Sequence, residues 1–381
     1  MNILFVTNFY PDPQRGGIER VTNILAEYFA TMGNVCFNFY LYPTSLERGY
    51  QYIRSETSSH TNDTNWFVGY LKKNGIDVII NQSNPYYTPF LVKCARTLGV
   101  KVVTAIHNST ELEALPKEDV KWKRPFHVFI PYLYWLYAWY SRTKLRYIHK
   151  RSFYQSDRTV LLSKSLVNDY YAKVGKENFK NKLCYINNPL SFRGTVCADE
   201  LSDKENIVLV VARLYERQKK ISSLLEIWKK VEENVKLNAW KLLVVGDGED
   251  IDLYKRMVCD YGLQRVSFEG QRNSLPYYRK ASIFAMTSIW EGFPMTLIES
   301  LQMGVVPIVM DSFPSAHDII KSGINGILVN YGDREAFYQQ MVLLMTKSEY
   351  RNKMSINAIE SACQYRIEKI GGMWLKMLND L

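Results

Sequence analysis

Paired cysteines, low-complexity tracts and membrane-length apolar runs are all missing from this chain of 381 residues. The six cysteines, Cys36, Cys94, Cys184, Cys197, Cys259 and Cys363, form no C-x-x-C pair, and no histidine cluster accompanies them. This argues against a zinc site or a disulfide framework and fits reduced thiols in a cytosol. Hydrophobic residues reach 47%, which excludes a disordered chain. The opening MNILFVTNFYP lacks a basic start and a cleavage site, so no signal peptide is expected. No G-x-G-x-x-G follows the first apolar run, which argues against a dinucleotide-dependent oxidoreductase. D-x-D spacing occurs only at Asp250–Ile251–Asp252. There it reads as ordinary acidic decoration of a helix start, so no metal site is expected.

What is present begins with size and charge. The length suits two domains rather than one. The net charge of +10, with a pI near 9.1, suits an anionic partner: nucleic acid, acidic lipid or a phosphorylated substrate. Short β-branched runs recur at 2–6, 77–81, 101–106 and 158–163, then at 206–211, 241–246, 265–270, 282–287 and 305–310. Each precedes a helical pattern. Continuous apolar strands alternating with helices predict parallel sheets covered on both faces. In the first helix, Ile18, Val21, Ile24, Leu25, Tyr28 and Phe29 form the predicted apolar stripe, ended by Gly33.

The polar, aperiodic stretch 191–205 reads as an interdomain linker. The expected class is therefore α/β, with two Rossmann-like doubly wound parallel-sheet domains facing across a cleft. They span 1–190 and 206–364, and a C-terminal helix over about 365–381 packs back on the first. Ligands of such sheets bind outside the carboxyl ends of the strands.

In the second half stands SIWEGFPMTLIESLQMGVVPIV, with Glu291 and Glu299 eight positions apart. Pro294 suits a first helical position and Gly304 a residue just past the end, so 294–303 predicts a short helix. Glu291 would lie in the loop before it and Glu299 inside it. Open N–H groups at 294–297 would attract an anion. A phosphorylated ligand could then meet the helix start, with a carboxylate for hydroxyls on each side. The plainer alternative is a solvated Glu299 on a surface helix. Two further cues are weak alone. VARLYERQKK (211–220) sends Arg213 and Lys219, with Lys220 as competitor, out of a strand end, and VVGDGED (244–250) makes a Gly-rich turn.

Together, EGFPMTLIE, the ARL…QK run, the VVGDG turn and the early GGIERV (16–21) resemble glycosyltransferase family 4. AIHNST (105–110), LCYINNPL (183–190) and SGINGILV (322–329) resemble that family's His-bearing strand end, its turn before the linker and its Gly-containing hairpin. The resemblance covers nearly the whole chain and is strongest over 206–330. It implies the GT-B fold and a retaining, metal-independent glycosyltransferase. The donor implied is a nucleotide-sugar, a UDP-sugar, with no cofactor. The moved group would be a hexose or N-acetylhexosamine.

Carried over residue by residue, the resemblance gives Arg213 and Lys219 the diphosphate. Glu291 would meet donor-sugar hydroxyls, beside the backbone of Gly292, Phe293, Pro294, Met295 and Thr296. Glu299 would hold the ribose. Gly16 and Gly17 would let a first-domain loop approach the phosphates, and His107 would reach the sugar. The plainer reading of His107 is a satisfied histidine at a strand end. The chain departs from the family pattern in two places. Lys220 stands where the family often has Gly, so the lysine register is open, and Pro294 replaces a frequent Gly.

Residues 121–151 hold eight Lys and Arg, dense Trp and Tyr, and no Asp or Glu. The apolar part, 126–140, is too short to span a bilayer. Cations around aromatic rings suit an anionic membrane surface; the plainer reading is a core helix with snorkelling cations. No nucleic-acid motif supports base stacking. The expectation is a cytoplasmic protein, peripheral on the inner face of the cell membrane. It would act on a saccharide or polyprenyl-linked saccharide acceptor in surface polysaccharide assembly. The rival readings are a GT-B-fold epimerase and a non-catalytic membrane- or RNA-binding protein.

Overall fold

A computed structural model describes residues 1–42, 53–57, 62–107, 130–175 and 182–381. The chain forms two compact units, Met1–Asn187 with Gly371–Leu381, and Asn188–Ile370.

Among the described residues, the first unit is built on seven strands: β1 (Asn2–Thr7), β2 (Val35–Tyr40), β3 (Arg54–Thr57), β4 (Val78–Asn81), β5 (Lys101–Ile106), β6 (Arg158–Leu161) and β7 (Leu183–Tyr185). Their order is β3-β2-β1-β4-β5-β6-β7, and every pair is parallel. The second unit has six: β8 (Glu205–Val211), β9 (Lys241–Val245), β10 (Val266–Gly270), β11 (Ala281–Met286), β12 (Val306–Asp311) and β13 (Ile327–Asn330). Their order is β10-β9-β8-β11-β12-β13, again all parallel. Both orders reverse direction beside the first strand. The switch points lie between β1 and β4 and between β8 and β11, where doubly wound sheets open a crevice for ligands.

All nine apolar runs are strands. The four others escaped notice for different reasons. β2 carries a buried Asn38 that breaks its apolar pattern; its Nδ2 is satisfied by the Phe5 carbonyl and by Thr7 Oγ1 at 3.3 and 3.0 Å. β3, β7 and β13 are short edge strands. The stretch 322–329 is not a hairpin. Residues 322–326 make a tight turn, closed by Gly323 N donating to the Gly326 carbonyl at 2.9 Å, and β13 then pairs in parallel with β12.

The helix Gly17–Thr31 buries Val21, Leu25 and Phe29, spaced by four, with Glu19, Thr22 and Ala26 beside them. Ile18, Ile24 and Tyr28 only flank that face. Gly33 takes φ 81°, the left-handed conformation that ends the helix. In the second unit, Leu224, Leu225, Trp228 and Val231 of the helix Ile221–Glu233 pack on Val208, Val210, Leu242 and Val244. Each fully buried aliphatic side chain contributes about 1.5–3 kcal/mol.

The expected linker, 191–205, is a built part of the second unit. The chain divides after Asn187 instead. Gln302 Nε2 donates to the carbonyls of Phe192 and Gly194, both at 2.7 Å. Ala198–Asp203 forms a 3₁₀ helix, and Lys204 Nζ donates to the carbonyls of Tyr278 and Arg279 at 3.0 and 3.3 Å. An aperiodic sequence can be ordered when its polar backbone is satisfied by other elements. At the other end, Gly371–Leu381 joins the first unit. A Cβ on Gly371 would lie 2.2 Å from Tyr28 Cδ1, so a glycine there lets the last helix close on the first.

Of the segment 121–151, residues 121–129 lie outside the described residues. The rest lies in the 26-residue helix Ile130–Gln155. Among the described residues, no helix is long and apolar enough to cross a membrane.

Candidate active site

The carboxyl edge of the second sheet, at the switch between β8 and β11, gathers most of the predicted site residues. Beyond β8 the chain turns through Ala212–Leu214, and this turn is pinned by the one beyond β9. Ala212 N donates to the Val245 carbonyl at 3.1 Å, Leu214 N to that of Asp247 at 2.9 Å, and Asp250 N to that of Leu214 at 3.2 Å. The two glycines of VVGDGED serve this contact. A Cβ on Gly246 would lie 1.9 Å from the Ala212 carbonyl oxygen, and one on Gly248 would lie 2.3 Å from that of Leu214. The Gly-rich turn is thus a packing surface for the segment that carries Arg213. Arg213 itself is exposed.

Asp250 does stand at a helix start, as the N-cap residue of Ile251–Asp260, but its side chain has a further use. It makes no side-chain cap to its own helix, Ile251–Asp260. Its Oδ2 instead accepts from Glu216 N at 2.8 Å and so holds the start of the short helix Glu216–Lys219.

That helix separates the two candidate lysines. Lys219 Nζ lies 2.6 Å from Glu291 Oε1, with the two side chains only 15% and 9% exposed. Lys220 turns the other way and pairs with Glu216 Oε1 at 3.1 Å. Glu216 also accepts from Ser222 N at 3.1 Å and from Ser222 Oγ. Lys220 has φ 49°, the only positive φ outside glycine among the described residues. The left-handed turn lets two adjacent lysines diverge.

Left-handed backbone costs a non-glycine residue about 1–2 kcal/mol. The Lys220–Glu216 pair offsets little of that, about 0.3–0.5 kcal/mol. Lys220→Gly is therefore expected to keep or raise the melting temperature and to retain turnover. Calorimetry and a rate assay check it. Loss of turnover in Lys220→Gly with a silent Lys219→Ala would shift the functional register by one.

The loop after β11 is locked to the same helix. Thr287 Oγ1 donates to the carbonyls of Lys219 and Lys220, both at 3.0 Å. Ile289 N donates to the Gln218 carbonyl at 2.7 Å, and Gln218 Nε2 to that of Trp290 at 3.1 Å. Glu291, Gly292, Phe293, Pro294 and Met295 are buried and Thr296 partly so. Asn188 Nδ2 holds the Phe293 carbonyl at 3.1 Å, and Tyr278 Oη holds that of Thr296 at 3.0 Å.

The helix runs Met295–Gln302, with Pro294 as its N-cap (φ −69°, ψ 116°) rather than its first residue. Proline has no N–H, and Leu297 N is spent on the Pro294 carbonyl at 3.2 Å. The amides of Met295 and Thr296 are what the helix start offers an anion, fewer than the expected 294–297. Glu299 is fully buried, 0% exposed, which rules out a solvated surface position.

In the first unit, Gly16 caps the helix Gly17–Thr31 in extended backbone, φ −171°. A Cβ there would lie 2.7 Å from Glu19 Oε2. Gly17 is exposed at the helix start. His107 follows the last residue of β5, so it stands at the carboxyl edge of its sheet. Its Nε2 is enclosed with no hydrogen-bond partner among the described residues. Burial pushes its pKa down to about 4, so the imidazole is neutral at pH 7.

Sequence reading missed Asp250, Glu216, Gln218 and Thr287 as supports of this site. Asp250 stood in a quoted motif, but its partner lies 34 positions away. No local spacing marks Gln218 or Thr287, whose partners lie 72 and about 68 positions off.

Residues 198–361 match the family model of glycosyl transferases group 1. The chain is 34% identical over 183 residues to the amylovoran biosynthesis glycosyltransferase AmsD of Erwinia amylovora, covering 48% of this chain and 50% of that protein. It is 29% identical over 210 residues to a Campylobacter jejuni protein named GalNAc-alpha-(1->4)-GalNAc-alpha-(1->3)-diNAcBac-PP-undecaprenol alpha-1,4-N-acetyl-D-galactosaminyltransferase, covering 55% and 58%. The chain thus spans about half the length of these curated relatives. Among solved structures, the apo lipopolysaccharide outer core galactosyltransferase WaaB superposes with TM-score 0.72 at 18% identity, covering 100% of this chain and 99% of that one. The chain has the GT-B fold and is related to glycosyltransferases, and its second unit carries the match to glycosyl transferases group 1.

Proposed function

We propose that this protein is a retaining, metal-independent glycosyltransferase. It moves a hexose or N-acetylhexosamine from a UDP-sugar to a saccharide acceptor in surface polysaccharide synthesis. The observation that carries this reading is the Lys219–Glu291 pair at the switch between β8 and β11, with Arg213 on the same edge. In this reading Arg213, Lys219 and the amides of Met295 and Thr296 neutralise the departing diphosphate, which is electrostatic stabilisation of a leaving group. Glu291 positions sugar hydroxyls, and Glu299 accepts from the ribose. Neutral His107, with Nε2 unpartnered by described protein groups, offers a hydrogen bond to the donor sugar. The leaving phosphate oxygen takes the acceptor hydroxyl's proton on the face where the new glycosidic bond forms.

The test is a panel of nucleotide sugars, read by thermal shift and by hydrolysis, repeated in excess EDTA. One UDP-sugar is expected to raise the melting temperature and to be turned over with EDTA present. Activity that EDTA abolishes and added magnesium or manganese restores sinks the metal-free part.

The acceptor we infer is a polyprenyl-diphosphate-linked saccharide, with the protein at the inner face of the cell membrane. Support comes from the helix Ile130–Gln155, where Trp139, Tyr140 and Tyr147 are 58%, 59% and 63% exposed. Arg142, Lys144, Arg146, Lys150 and Arg151 are exposed on the same helix. The undecaprenol in the Campylobacter relative's name is consistent with this acceptor. Cations near an anionic surface contribute about 1 kcal/mol each. Sedimentation with anionic vesicles at low salt is expected, and neutralising Lys144, Arg146, Lys150 and Arg151 should abolish it. A wild-type protein that stays in the supernatant would leave a soluble acceptor.

A further inference from the structure

Next to the site, on the side away from Lys219, the carboxyl end of β12 carries a second polar pair. His317 Nε2 lies 2.8 Å from Asp311 Oδ1, with the side chains 60% and 29% exposed. Met286, the last residue of β11, is level with Val309 of β12, so the loop that leaves β11 starts beside the carboxyl end of β12. Neighbouring strands lie about 4.8 Å apart. Ser312 Oγ closes the gap by donating to the Ser288 carbonyl at 2.5 Å. Ser288 stands three residues before Glu291. The segment that carries His317 is anchored from below by Phe313, 3% exposed, and by Ser315 and Ala316, both 0% exposed. A firmly seated backbone therefore presents an exposed imidazole beside the loop that holds Glu291.

The chemistry of the pair is suited to a sugar. Asp311 accepts from the Nε2–H, which restrains the ring, and Nδ1 is the second polar atom of this largely exposed imidazole. A neutral Nδ1 accepts and a protonated one donates, and a sugar hydroxyl can answer either. We propose that His317, oriented by Asp311, is a specificity-determining contact to the transferred sugar, reading a ring hydroxyl that Glu291 does not reach. The inference rests on the reading of this edge as a sugar-nucleotide site. It adds the residue that distinguishes one hexose from its epimer. Discrimination arises because a polar group built to bond a hydroxyl is left unpaired by the analogue that lacks it there.

The experiment uses the full chain. Affinity for UDP, and kcat/KM for the preferred UDP-sugar and for its C4 epimer, are measured in wild type, His317→Ala, His317→Gln and Asp311→Asn. His317→Ala is expected to shrink the ratio of the two kcat/KM values at least tenfold while UDP affinity stays within twofold. Asp311→Asn should move the ratio the same way, and His317→Gln should restore part of it. An unchanged ratio overturns the proposal, as does an equal loss of affinity for UDP itself. A wild-type protein that binds UDP but no UDP-sugar overturns it as well. If wild type binds neither, the sugar-nucleotide reading falls first and this inference with it. Because His317 is largely exposed, the melting temperature should not change, so a lost ratio cannot be ascribed to unfolding.

Discussion

Lys219→Ala is expected to lower turnover by at least about a hundredfold, the loss typical of removing one preorganised group that stabilises developing negative charge. It should also destabilise the protein. Its partner Glu291 is only 9% exposed, and the pair is closed at 2.6 Å. Removing one member leaves a carboxylate desolvated without its cation, which costs about 3–5 kcal/mol in a fully buried pair and less at this partial exposure. The two effects separate in a double variant. Lys219→Met with Glu291→Gln removes both charges at similar volume, so most of the stability should return. Turnover should not, because on the proposed mechanism the departing diphosphate still lacks its cation. Denaturant unfolding and a rate assay on the two single variants and the double variant decide it. A double variant as unstable as Lys219→Ala would mean that the ion pair does not dominate the local energetics. Arg213→Ala should match the turnover loss without the stability loss, since Arg213 is exposed.

Gly246→Ala should be the most damaging small change in the second unit. Gly246 has φ 133°, which L side chains rarely adopt. Its missing Cβ would fall 1.9 Å from the backbone oxygen of Ala212, an atom with no rotamer to escape through. Strain and overpacking together should cost about 3 kcal/mol. In a unit of this size, that is a fall of roughly 6–12 °C in melting temperature. Because the displaced atom begins the Ala212–Leu214 turn, Arg213 should move and turnover should fall as well. Asp250→Ala is a useful comparison. It loosens the start of the Glu216–Lys219 helix without a clash, so turnover should fall more than stability. A Gly246→Ala protein with native melting temperature and turnover would refute the packing role assigned to that turn.

The sequence by itself determined the class of the fold. Parallel strands buried on both faces must be continuous apolar runs, so Ile3–Val6 and Val208–Val210 were legible without any contact information. It also determined which side chains would gather. Arg213, Lys219 and Glu291 each follow a strand, and parallel strands bring their carboxyl ends to one edge. The tertiary structure decided how they are used. Sequence named Lys219 and kept Lys220 as a competitor; the left-handed φ of Lys220 sends one to Glu291 and the other to Glu216. Composition made 191–205 a linker, whereas the carbonyls of Phe192 and Gly194 are claimed by Gln302, more than a hundred positions away. Asp250 read as ordinary acidic decoration of a helix start, whereas its carboxylate is taken by the amide of Glu216. The reason is common to all three. Burial periodicity repeats within a few residues and is written locally, while a hydrogen bond between distant loops depends on backbone angles and neighbours that exist only once the sheet has formed.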